Sequence, residues 1–85
     1  MKIANALKKI EKAGGSIEEI DGLFVARFPG KSYRIQVRRN GGDYTDDVST
    51  IRVIRDNDHD DMQSDYYAGT WVEAMSRAIK YATTW

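Results

Sequence analysis

Cysteine is absent from the 85 residues, which removes disulfide scaffolds, thiolate zinc fingers, iron–sulfur sites and thiol catalysis together. Histidine occurs once, as His59, and proline once, as Pro29. No apolar run approaches the roughly 20 residues that a bilayer crossing requires. The first residues, MKIANALKKIEK, mix charge with apolar side chains and lack the continuous h-region of a secretory signal. These absences point to a cytoplasmic chain. No nucleophile with a partnered base, phosphate loop or oxyanion arrangement can be read, so the expectation is a protein that is not an enzyme and carries no cofactor.

What is present is a globular composition, 41% hydrophobic and 31% charged. At this length only one domain fits, residues 1–85. Such a chain buries about 60–65% of its unfolded surface, so its net stability is a few kcal/mol. The formal charge of zero conceals a polarity. Residues 1–42 hold nine Lys or Arg against four acids, a balance of +5, and residues 43–85 hold four against nine, a balance of −5. A folded domain can therefore present a basic surface and an acidic rim to different partners, or neutralise one half with the other.

The hydrophobic period divides the chain into helix, strands and helix. Ile3, Leu7 and Ile10, with Ala6 and Ala13 beside them, form the apolar stripe of an amphipathic helix that Gly14-Gly15 terminates. From Ser16 to Arg55 the period becomes two. Asp21-Gly22 suits a tight turn between a short strand near Ile17–Ile20 and a longer one at Leu23–Phe28. Pro29-Gly30 fits the centre of a type II turn leading into a strand at Ser32–Arg39. The next strand is Val48–Arg55, and residues 56–69 read as a polar loop of a length that is often functional. Thr70 with Glu73 forms a capping box for a second helix starting at Trp71, whose stripe is Val72, Met75, Ile79 and Ala82, joined by Trp71 and Ala78. The expected fold is α+β: a helix, a three- or four-stranded antiparallel meander and a helix, with both helices on one sheet face and the other face open. This order resembles double-stranded-RNA-binding domains and the small toxins of the same topology. Their Gly-Pro-x-His loop, Lys-Lys helix start and Gly-Ser-His element are not found in this sequence.

Three constellations carry candidate chemistry. If Tyr33, Ile35 and Val37 point into the core, the pleat turns Arg34, Gln36 and Arg38 outward, where Arg52 and Arg27 join them. Four guanidiniums on one sheet face suit phosphate through bidentate donation, and the alternative is a solvated, ion-paired face. The acidic loop is the second. Asp56, Asp58 and Asp60 begin like an EF-hand, but Asp61 stands where glycine is required and Tyr67 where a bidentate carboxylate is required, so no metal is expected. His59 between Asp58 and Asp60 reads as a solvated side chain. The third is aromatic: Tyr66, Tyr67, Trp71, Tyr81 and Trp85 cluster in the last quarter, and rings of this kind either pack the core boundary or anchor interfaces.

The stretch Asp60-Asp61-Met62-Gln63-Ser64-Asp65-Tyr66-Tyr67 resembles the D-D-x-x-[ST]-D-Y-[YF] stretch of small uncharacterised domains in phages and conjugative elements, some associated with large polyvalent proteins. With the preceding strand and the following helix, the likeness spans about a quarter of the chain. It implies a mobile-element setting and no catalytic residue. The favoured reading is an accessory protein that binds a host protein through Asp58, Asp60, Asp61, Asp65, Tyr66 and Tyr67. The alternative is nucleic acid on Arg27, Arg34, Gln36, Arg38 and Arg52. A homodimer through the open sheet or the second helix is compatible with both.

Overall fold

The computed structural model describes residues 1–39, 47–55, 64–65 and 70–85, with backbone pairing alone for 64–65. Helix α1 spans Ile3–Lys12 and buries Ile3, Ala6 and Ile10, one face at helical spacing. Its end is a Schellman motif: the Gly15 N–H donates to the Ile10 carbonyl and the Gly14 N–H to that of Glu11, both at 3.0 Å. Gly14 sits at φ +96°, the left-handed position this motif places after the cap. Ala13 lies beyond the last helical residue and is exposed rather than packed.

Four strands follow as a meander: β1 (Ser16–Ile20), β2 (Leu23–Arg27), β3 (Tyr33–Arg39) and β4 (Val48–Arg55). The sheet is antiparallel throughout, in the order β1-β2-β3-β4, and a two-residue strand β5 (Ser64–Asp65) adds to the β4 edge. The turns take the geometry their residues favour. Asp21 and Gly22 are both at positive φ, +49° and +79°, which is the two-residue hairpin that follows the sheet's twist. Gly30 is at φ +74° while the Lys31 N–H donates to the Phe28 carbonyl at 3.1 Å, closing the turn around Pro29.

Helix α2 (Trp71–Thr84) begins at Thr70, whose hydroxyl accepts from the Glu73 N–H at 3.2 Å. Its buried arc is Ala74, Met75, Ala78 and Ala82, with Trp71 and Ile79 half-buried. Val72, expected on this stripe, is 51% exposed. It stands about 100° around the helix from Trp71, outside the arc that Ala78 and Ala82 centre on the sheet, and Ala74 packs inward in its stead.

Both helices lie on one sheet face. Ile3, Ala6 and Ile10 of α1 and Ala74, Met75, Ala78 and Ala82 of α2 share a core with Phe24, Ala26, Phe28, Ile35, Val37, Val48, Ile51 and Val53. The register explains this grouping, because Phe24, Val37 and Ile51 align across three strands, and so do Ala26, Ile35 and Val53. Tyr33 packs at the border of that core. Among the described residues no helix is long and apolar enough to cross a membrane.

Candidate nucleic-acid interface

The same register sends the other residues of each strand to the face away from the helices. There Arg27 of β2 lies directly opposite Arg34 of β3, Gln36 lies between Val25 and Arg52, and Arg38 between Leu23 and Thr50. All five residues expected to share a face do share one. They sit on the three central strands, and no described helix covers them.

The face is not uniformly polar. Val25 and Ile54 are buried on it, at 4% and 2% exposure, although neither belongs to the core under the helices. Val25 is flanked in register by Glu18 and Gln36, and Ile54 by Arg34. Side chains of this length have aliphatic stems able to cover a β-branched neighbour while their polar ends stay in water.

Arg27 faces Glu18 across 3.6 Å with both side chains about half exposed or more, a surface pair of small energetic weight. Arg34 donates from Nη1 to the carbonyl of Arg55 at 2.9 Å, which draws its head to the end of the sheet where β4 finishes. Arg52 stands opposite Asp65 in the β4–β5 pairing. Arg38 is exposed. Arg39, the next residue, follows an irregularity in the β3–β4 register and leaves the face altogether. Its guanidinium lies over the Phe24 ring, 5.6 Å from the centroid, and its Nε is buried. Each of these contacts fixes part of a guanidinium group, and a guanidinium carries five N–H donors in a planar fork.

Arg55 was not among the expected residues. Its Cα pairs with Tyr33, so it falls on the helix side of the sheet, where its guanidinium lies 5.7 Å above the Tyr33 ring and donates to the Tyr33 hydroxyl at 3.3 Å. From Tyr33 the contacts continue along aromatic rings. Tyr81 meets Tyr33 edge-on at 5.0 Å and Trp85 lies 6.2 Å beyond Tyr81. The sequence signal for this group was the presence of Tyr81 and Trp85 in the aromatic last quarter; its partners on β3 and β4 are visible only in the folded register.

The acidic constellation is placed differently. Asp56, Asp58, His59, Asp60, Asp61, Tyr66 and Tyr67 lie outside the described residues, and Asp65 is described only as a backbone partner of Arg52. Among the described residues no cluster of His, Asp and Glu suits a metal ion. Compared with known protein families, with curated proteins and with solved structures, the chain matches none.

Proposed function

We propose that this chain is a non-catalytic binding module, an accessory protein of a phage or other mobile element that acts on a host macromolecule in the host cytoplasm, and that its sheet face away from the helices engages nucleic acid. The observation that carries this reading is the direct juxtaposition of Arg27 and Arg34 on a face that also holds Arg38 and Arg52. A phosphate backbone passing over this face can accept from guanidiniums in bidentate fashion, and guanidinium forks match phosphate oxygens better than ammonium groups do. The mobile-element setting comes from the likeness of residues 60–67 to phage and conjugative-element domains. A host protein held by Asp58, Asp60, Asp61, Asp65, Tyr66 and Tyr67 is the competing reading; it rests on residues whose side chains lie outside the described part, so geometry favours the sheet face.

Counterion release supplies the test, because each phosphate neutralised adds to the salt dependence of binding. Fluorescence anisotropy with labelled oligonucleotides should show binding at low salt that weakens with a log–log slope of about −3, the value for four phosphate contacts on a single strand. Arg34→Glu combined with Arg38→Glu should abolish it. Absence of binding to single-stranded and duplex probes at micromolar protein would refute the reading and leave the acidic segment, tested by capture of a host protein, as the surface to pursue. A homodimer formed through the open sheet would show as a concentration-dependent mass that the same two substitutions dissolve.

A further inference from the structure

We infer that the end of the sheet where β3 begins and β4 finishes is a base-stacking platform built on Trp85, so that the nucleic acid bound by the arginine face is single-stranded. This rests on the nucleic-acid reading above and specifies its substrate class. Trp85 is 60% exposed, so much of its indole is open to a ligand. Its ring is not loosely attached. The Ser32 N–H donates to the Trp85 carbonyl at 3.2 Å, fixing its backbone to the residue before β3. The Trp85 N–H in turn donates to the Tyr81 carbonyl, and Tyr81 supports the indole from one side.

A chain of contacts joins this ring to the phosphate-binding candidates. Arg34, on the face away from the helices, reaches the Arg55 carbonyl; the Arg55 side chain covers Tyr33; Tyr33 meets Tyr81; and Tyr81 meets Trp85. Guanidiniums and an exposed indole thus stand at one end of the sheet, two parts of a single-strand site: cationic groups for the backbone and an aromatic face on which a base can lie. In a duplex the bases are already stacked on one another, so an indole outside the helix has no base face to receive. The stacking term therefore discriminates single strands from duplex, whereas the arginines bind either.

The test uses the whole chain and an oligo-dT probe beside a duplex of equal length. Tryptophan fluorescence should be quenched as oligo-dT binds, and Trp85→Phe should remove most of that quenching, leaving the half-buried Trp71 signal. Trp85→Ala should weaken oligo-dT binding about tenfold, the scale of one lost base–aromatic stack, with the salt slope unchanged and with circular dichroism confirming the fold. Trp85→Phe should retain most of the affinity. Equal affinity of native protein and Trp85→Ala for oligo-dT overturns the platform while leaving the arginine face standing, as does duplex binding at least as tight as single-strand binding. Failure of every probe to bind removes both.

Discussion

At the scale of single residues, the fold depends on a few positions where the backbone allows only one answer. Gly15 is the most constrained. A Cβ there would lie 2.6 Å from Cγ2 of Ile10 and 3.1 Å from Cε1 of Phe28, both in the core. Neither can retreat without disturbing close-packed neighbours. Gly15→Ala should destabilise the domain by about 1–3 kcal/mol, the usual cost of overpacking, read from the urea midpoint with the slope unchanged. Gly30 differs. Its added Cβ would meet nothing, and the penalty comes from φ +74° alone, so Gly30→Ala should cost about 1 kcal/mol. If the two substitutions cost the same, packing at the α1 terminus is looser than these distances state. Both glycines were legible in the sequence as punctuation, but only the structure separates the one that is crowded from the one that is merely turned.

The elements owe their ends to different devices. Helix α1 begins without a capping side chain or an acidic first turn, and its entry is tied down by tertiary contacts: Lys2 bridges Asp47 in the backbone and by an ion pair at 3.4 Å, and the Val48 N–H donates to the Met1 carbonyl at 2.8 Å. Helix α2 has a local cap in Thr70 and closes through threonine hydroxyls. Thr83 donates to the Ile79 carbonyl at 2.7 Å and Thr84 to that of Lys80 at 2.6 Å, i−4 back-bonds in which each hydroxyl shares a carbonyl of the helical ladder. Thr70→Ala should cost about 1 kcal/mol and lower the thermal midpoint by about 4–8 °C. Retention of the native midpoint would show that packing of Met75 and the alanines, rather than the cap, starts this helix. The start of α2 was readable from Thr70 and Glu73. The anchoring of α1 to β4 was not, because it joins residues more than 40 positions apart.

Across the whole molecule the +5 and −5 halves of the sequence meet where Lys2 pairs with Asp47 at 3.4 Å. β5 also sets Asp65 opposite Arg52 of the basic face in backbone register. Long-range charge then acts against polyanion binding. Asp58→Lys with Asp61→Lys should strengthen oligonucleotide binding several-fold at low ionic strength, and the gain should shrink as salt shortens the screening length to about 8 Å near physiological ionic strength. Anisotropy titrations at two salt concentrations read this, and a gain that persists at high salt would mean direct contact rather than a field effect. The sequence by itself determined the helix–meander–helix order, the turns at Asp21-Gly22 and Pro29-Gly30, and which face of β3 is apolar, because these follow from local conformational preference and from the two-residue period of a strand. Tertiary structure alone decided that Arg27 faces Arg34, that Val72 turns outward while Ala74 packs inward, and that Arg55, Tyr33, Tyr81 and Trp85 meet in a line. Those outcomes depend on the register between strands and on the rotation of α2 over the sheet, which are settled by how side chains from distant parts of the chain fill one core.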